Sequence, residues 1–87
     1  MNMDTDKTKI LDNICYTELV YGRINKKLKS NYSKPDIEKM LFGIVKETRE
    51  SDFQRIGKNI YVTNHENKIK ITINSNTYRV ITVAAVS

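Results

Sequence analysis

The spacing of hydrophobic residues changes once along this chain, from a period near 3.6 to a period of 2. Before Asp52, apolar side chains recur three and four positions apart, which is typical of amphipathic helices. After Asp52, apolar and polar residues alternate, which is typical of strands with one buried face. This order predicts helices first and a sheet second.

Two helical segments are predicted before Ser30. Asp4–Ile14 can form a short helix with apolar residues on one side. A second helix is expected to begin at Thr17 and Glu18, because a hydroxyl can cap free N–H groups and an acid suits the positive end of a helix. The pattern leaves open whether residues 5–29 form one bent helix or two.

A third helix is predicted after the break at residues 30–34. Pro35 fits a first helical turn, where its missing N–H would have no partner in any case. Gly43 lies inside this helix at a cost of about 1 kcal/mol relative to alanine, which suggests the close approach of another element. The apolar stripe consists of Ile37, Met40, Leu41, Ile44, Val45 and Thr48.

Four strands are predicted in the last third of the chain. Their ranges are Phe53–Ile56, Asn59–Thr63, Lys68–Asn74 and Thr77–Ala84. Between the first two, Gly57 at the first central position suits a type II′ hairpin turn. The last strand is apolar on both faces near its centre, which suggests a central or well-covered position.

The expected fold is α+β, with two or three N-terminal helices packed on one face of a four-stranded antiparallel β-meander. The chain has room for one domain, residues 1–87, with a helical part at about 5–50 and a sheet at about 53–85. The face expected under the helices carries Ile60, Val62, Ile69, Ile71 and Ile73. The opposite face is expected to carry Tyr61, Thr63, Lys68, Lys70, Thr72 and, in one register, Tyr78 and Thr82.

Composition adds a bias in charge. The net charge is +5, and residues 53–87 hold five basic residues and one acid. A basic surface favours anionic partners such as nucleic acid or an acidic protein face. The hydrophobic fraction of 39% and charged fraction of 29% are ordinary for a soluble protein. The longest apolar stretch, near Val80 to Val86, is too short to span a bilayer, and residues 1–6 lack the pattern of a secretory signal, so a cytoplasmic location without membrane contact is expected.

Few residues suit metal or nucleophilic chemistry. Cys15 cannot form an internal disulfide or a cysteine-based zinc cluster, and we expect it to be buried. His65 is the only histidine and lies in a predicted turn, where solvent exposure is the ordinary state. No glycine-rich phosphate loop or metal-ligand spacing is present, so no cofactor and no metal site are predicted.

The remaining candidate is a basic and aromatic surface on the strands. Lysine and arginine can hold phosphates and tyrosine rings can stack on bases, as sheet-based modules do with single-stranded nucleic acid. The predicted binding residues are Arg55, Lys58, Tyr61, Lys68, Lys70, Tyr78 and Arg79.

The function predicted from this surface is non-enzymatic binding of an anionic partner. The partner is a nucleic acid or an acidic face of a host enzyme, the latter if the protein is a phage or mobile-element inhibitor. The C-terminal strand could also pair with a second copy to give a homodimer. The alternative is a ribonuclease of the RelE-like toxin type, which uses Arg, Lys and Tyr without histidine; this alternative depends on layout alone.

Several segments resemble a small bacterial family, domain of unknown function family 3781. They include Thr17-Glu18-Leu19, Arg55 to Val62 and Tyr78 to Thr82, and the resemblance covers roughly residues 16–84. The most specific segment is Arg-x-Gly-Lys-Asn-x-Tyr at 55–61. Members often carry a histidine after Ile-Thr in the last strand, whereas this chain continues from Thr82 with Val-Ala-Ala. The resemblance implies a domain extent and no activity, and the departure favours binding over catalysis.

Overall fold

The N-terminal half of the protein is helical. The computed structural model describes residues 7–86, with α1 at Lys7–Asn13, α2 at Val20–Leu28 and α3 at Lys34–Glu47. The described part of this segment, residues 7–29, therefore contains two helices and not one bent helix, and the predicted start at Asp4 lies outside the described residues. No helix within residues 7–86 is long and apolar enough to cross a membrane.

α2 begins later than the sequence predicted. Its N-cap residue is Leu19, which makes no side-chain capping bond. The N–H of Val20 instead donates to the backbone oxygen of Thr17 at 3.2 Å. Thr17 thus contributes its carbonyl and not its hydroxyl, and the predicted side-chain cap is wrong.

The segment between α1 and α2 is attached to the sheet through Cys15. The N–H of Cys15 donates to the Tyr78 oxygen at 3.0 Å, and the N–H of Val80 donates to the Cys15 oxygen at 2.9 Å. The Cys15 side chain is exposed, with Sγ 3.4 Å from the Thr77 oxygen. The prediction of a buried cysteine is therefore wrong, because the Cys15 backbone is hydrogen-bonded to the sheet while the residue remains exposed.

α3 starts as predicted. Ser33 is its N-cap and accepts a hydrogen bond from the Asp36 N–H at 3.3 Å, with Pro35 in the first turn. Four residues of the predicted stripe, Ile37, Leu41, Ile44 and Val45, are buried along the helix. Gly43 departs from expectation, because a Cβ built on it meets no atom within 4 Å. It faces open space and not an approaching element.

The sheet is an antiparallel meander in the order β1-β2-β3-β4. Its strands are β1 at Phe53–Ile56, β2 at Asn59–Asn64, β3 at Ile69–Asn74 and β4 at Val80–Ala85. A short 3₁₀ turn, Glu50–Asp52, joins α3 to β1. The predicted α+β fold, with helices first and four antiparallel strands after them, is confirmed.

The β1–β2 hairpin has the turn that its glycine predicted. Gly57 has a φ of 61°, while Lys58 is not among the described residues with positive φ. A left-handed φ at the first central position alone is the type II′ pattern. The hairpin pairs Ile56 with Asn59 and Gln54 with Tyr61.

The apolar sequence of β4 suggested a central or well-covered position, and the strand lies at an edge of the sheet. A bulge between Thr72 and Ile73 leaves Ile81 without a partner, so that Val80 faces Ile73 and Thr82 faces Thr72. The extra residue turns both Val80 and Val83 toward the core, where they are buried. α2 packs against this strand, which accounts for its apolar composition.

The core lies between the helices and one face of the sheet. The five residues predicted for that face, Ile60, Val62, Ile69, Ile71 and Ile73, are all buried. They pack with Ile10 of α1, Val20 and Ile24 of α2 and the α3 stripe. The other face of the sheet is therefore the one available to a partner.

Candidate functional site

The face of the sheet opposite the core, here called the outer face, is set by strand register. Tyr61 lies opposite Thr72, which in turn lies opposite Thr82, so one row crosses β2, β3 and β4. Lys70 lies opposite Thr63 on the same face. No outer-face strand position in the described residues carries an acid, so Lys70 gives this face a positive charge; exposed Ile56 lies on the same face, at the end of β1.

Tyr61 and Lys70 form the centre of the outer face. The Lys70 ammonium lies 5.6 Å from the centroid of the Tyr61 ring, which is a cation–π contact. Asn59 Nδ2 donates to the Tyr61 hydroxyl oxygen at 3.4 Å. Thr72 beside them is only 7% exposed, so the row is closely packed. The sequence predicted both Tyr61 and Lys70 for this face.

The other cations predicted for the site lie elsewhere. Arg55 pairs with Ile60, which puts it on the helix-facing side of the sheet, and its Nε donates to the Gly57 oxygen at 3.2 Å. Lys58 is at the hairpin tip, and its carbonyl accepts from the Ser75 N–H at 2.8 Å. Arg79 is exposed at the same end of the sheet, just before β4. None of these three cations lies in the outer-face row that contains Tyr61.

Two further predicted residues lie in turns and not in strands. Lys68 has a φ of 56° and Tyr78 a φ of 60°, both left-handed. Lys68 precedes β3 and lines a cleft beside α3, whereas Tyr78 precedes β4 and packs against the core. Of the seven predicted residues, the outer face therefore holds Tyr61 and Lys70.

α2 contributes cations that the sequence interpretation did not place at the site. Arg23, Lys26 and Lys27 line a groove of about 810 Å³ together with Gly22 and Thr82. None of the three cations forms an ion pair within residues 7–86. Thr82 belongs to both the groove and the outer-face row, so the α2 cations border that face. The available signal was the absence of any acid between residues 19 and 35, which hold five basic residues.

A second cluster, formed by Tyr16, Tyr21 and Glu38, lies between α2 and α3. The two rings stack with centroids 5.6 Å apart, and the Tyr21 hydroxyl donates to Glu38 Oε2 at 2.6 Å. That hydrogen bond, with burial and the charge of Glu38, raises the pKa of Tyr21 to about 12. Burial and then the Glu38 charge raise the pKa of Tyr16 as well. Both phenols stay protonated at neutral pH, so Glu38 is the charged member of the cluster and the Tyr21 hydroxyl joins α2 to α3 as its hydrogen-bond donor.

Together these features define a small α+β protein that has helices on one side of its sheet and a polar, cation-bordered face on the other. The chain belongs to the DUF3781 family, described as proteins of unknown function, whose family model matches residues 8–84. The predicted resemblance is confirmed, and the match begins earlier than residue 16, within α1. Comparisons with curated proteins and with solved structures give no match.

The Arg-x-Gly-Lys-Asn-x-Tyr segment that suggested the family is the β1–β2 hairpin. Its residues bind one another: Arg55 donates to Gly57, and Asn59 donates to Tyr61. Gly57 supplies the positive φ that the turn requires. The segment thus shapes the hairpin and holds Tyr61 beside Lys70.

Proposed function

We propose that the protein is a non-enzymatic binding protein for single-stranded nucleic acid, acting in the cytoplasm. The binding surface, here called the cationic face, consists of Arg23, Lys26, Lys27, Tyr61, Lys70, Thr72 and Thr82. One observation carries the proposal: three cations without ion pairs border a sheet face that presents an aromatic ring. The cations can bind phosphates, and the aromatic ring can stack on a base.

The chemistry of the cationic face suits a flexible anionic strand. The Tyr61 ring offers a flat surface on which a base can stack, whatever its identity. In the free protein the Lys70 ammonium lies over that ring, 5.6 Å from its centroid. Because a lysine side chain is flexible, Lys70 can swing to a phosphate when a base takes its place. The hydroxyls of Thr72 and Thr82 lie in the same row.

The spacing of the row also suits more than one nucleotide. Adjacent strands lie roughly 4.8 Å apart, so Tyr61 on β2 and Thr82 on β4 are about 10 Å apart. A single-stranded nucleic acid with one base stacked on Tyr61 would therefore pass over β3 before its backbone reaches the α2 cations. Several phosphate contacts along such a path make affinity depend strongly on salt.

No specific observation favours the ribonuclease alternative. Arg55 and Tyr61 lie on opposite sides of the sheet, because Arg55 is opposite Ile60 and Tyr61 is the next residue along β2. Arg79 is separated from both at the start of β4. The residues that such an enzyme would combine around one phosphate are thus held apart.

Pairing of β4 with a second copy stays a prediction. α2 packs against β4, and the start of that strand is already bonded to Cys15. β1 pairs with β2 alone and is the other edge of the sheet.

The test is a titration of the full chain with a fluorescein-labelled single-stranded oligonucleotide, followed by anisotropy at several salt concentrations. We expect saturable binding whose logarithmic affinity falls linearly with the logarithm of salt concentration. Intact oligonucleotide after incubation, checked on a denaturing gel, supports binding without cleavage. Absence of binding at low salt would overturn the nucleic-acid proposal and would favour an acidic protein partner. Cleavage of the oligonucleotide would overturn the proposal in favour of the ribonuclease alternative.

A further inference from the structure

A cleft opens on the helical side of the sheet, away from the cationic face. It lies between the end of α2, the middle of α3 and the β2–β3 turn, with a volume of about 480 Å³. That volume is within the range of small-molecule sites, roughly 300–1,000 Å³. Its lining residues are Leu28, Ser30, Tyr32, Lys39, Met40, Gly43, Ile44, Glu47, Asn67, Lys68 and Ile69.

The floor of the cleft is apolar and is kept open by a glycine. Leu28, Met40, Ile44 and Ile69 supply the apolar surface. Gly43 lies in the middle of α3, where a Cβ would meet nothing within 4 Å. Glycine in a helix costs about 1 kcal/mol relative to alanine, and here no neighbouring atom requires it. Its effect is to leave room in the cleft.

One wall of the cleft is fixed by the side chain of Asn25. Asn25 Nδ2 donates to the Tyr32 oxygen at 3.0 Å, and its Oδ1 accepts from the Tyr32 N–H at 2.9 Å. The Ser30 hydroxyl donates to the same Oδ1 at 2.9 Å. The loop after α2 is therefore tied to the helix that precedes it.

The opposite wall is fixed by the buried side chain of Asn64. Its Oδ1 accepts from the backbone N–H of Asn67 at 2.7 Å, and its Nδ2 donates to Thr48 Oγ1 at 2.9 Å. Lys68 follows with a φ of 56°, and its carbonyl accepts from the Val86 N–H at 2.9 Å. Both walls are thus formed before any ligand arrives.

The charged residues of the cleft are Lys39, Lys68 and Glu47. Neither lysine forms an ion pair within residues 7–86, so the cleft has a net positive charge. The apolar floor and the unpaired cations together fit a ligand that has an apolar part and an anionic part. We propose that this cleft binds a small amphipathic anion, with its apolar body on the floor and its acid group between Lys39 and Lys68.

The experiment measures binding of decanoate to the full chain by displacement of the fluorescent probe anilinonaphthalene sulfonate. We expect one saturable site, and we expect decanol, which has the same chain without the charge, to bind at least tenfold more weakly. Equal affinities for decanoate and decanol would overturn the proposal, because the lysines would then contribute nothing.

Gly43→Leu tests the floor. We expect at least a tenfold loss of decanoate affinity together with a higher melting temperature, since leucine fills the cleft and favours the helix. Gly22→Ala is the matched control: its Cβ also meets nothing within 4 Å, and it lies outside the cleft, so it should raise the melting temperature and leave decanoate affinity unchanged. Unchanged affinity in Gly43→Leu would contradict the proposal.

The double variant Lys39→Gln/Lys68→Gly tests the two lysines of the cleft without changing a core residue. Glycine suits the left-handed φ at position 68, so the turn should persist. We expect decanoate affinity to fall to that of decanol. Retention of a tenfold preference for decanoate in this variant would overturn the assignment of the two lysines.

Discussion

At the scale of single residues, Tyr61 is the side chain on which the proposed function depends most. It is half-buried in a row with Thr72 and carries the Lys70 ammonium over its ring. Its hydroxyl accepts one long hydrogen bond from Asn59, at 3.4 Å. The ring, and not the hydroxyl, is therefore the group that a base would use.

Tyr61→Phe and Tyr61→Thr separate these two parts of the side chain. Phenylalanine keeps the ring, so we expect oligonucleotide affinity within about twofold of the original. Threonine suits a strand but offers no ring, and the loss of one stacked base costs about 1–3 kcal/mol, roughly a fivefold to 150-fold loss of affinity. Anisotropy titration measures both. Equal affinity of the threonine variant and the original protein would exclude stacking on Tyr61.

Tyr21 supplies a pH prediction at the same scale. Its folded pKa is raised to about 12, above the ordinary value of 10.0, so the neutral phenol is the form that folding favours. This contribution to stability is fully present below pH 10.0 and is lost as pH rises through about 12. In an absorbance titration at 295 nm, we expect Tyr21 and Tyr16 to ionise at a higher pH than an ordinary tyrosine, whose pKa is 10.0.

Tyr21→Phe identifies which tyrosine gives the absorbance change at high pH. It should remove one late-ionising tyrosine from the titration and reduce the alkaline loss of stability between pH 10 and 12. A wild-type titration in which every tyrosine ionises together near pH 10 would contradict the bond from Tyr21 to Glu38.

At the scale of elements, the alternation of residues predicted most of the sheet. The isoleucines of β3 identified the buried face, and Gly57 identified the hairpin turn. Lys68 and Tyr78 could not be placed in this way, because each is a non-glycine residue with a left-handed φ, and neither has a sequence signal for it. The bulge at Ile81 similarly breaks the period of 2 without any glycine to mark it.

Two glycine-to-alanine variants, one in the β1–β2 turn and one in α2, should change the free energy of unfolding in opposite directions. Gly57→Ala places a Cβ at a φ of 61°, and we expect it to lower the free energy of unfolding by about 1–2 kcal/mol. Gly22→Ala lies in α2 with open space around it and should raise that free energy by about 1 kcal/mol. Urea denaturation with unchanged m-values measures both. A destabilising Gly22→Ala would contradict the open space around position 22 of α2.

At the scale of the whole molecule, the protein separates its two candidate sites across the sheet. The cationic face is on the outer side, and the cleft with Gly43 is on the helical side. The sequence indicated basic strands but could not show that Arg23, Lys26 and Lys27 border the outer face. That placement depends on how α2 packs along β4, which is a tertiary contact between segments far apart in the chain.

The most direct measurement of the central claim compares two charge-matched double variants in oligonucleotide binding across a salt series. Lys26→Gln/Lys27→Gln removes two cations from the cationic face, whereas Lys39→Gln/Lys46→Gln removes two from α3. We expect the α2 variant to weaken binding and to lower the logarithmic salt slope by about 1.4, two contacts at about 0.7 each, while the α3 variant keeps the original slope. Equal losses in the two variants would show that net charge alone attracts the oligonucleotide, and would contradict a defined cationic face.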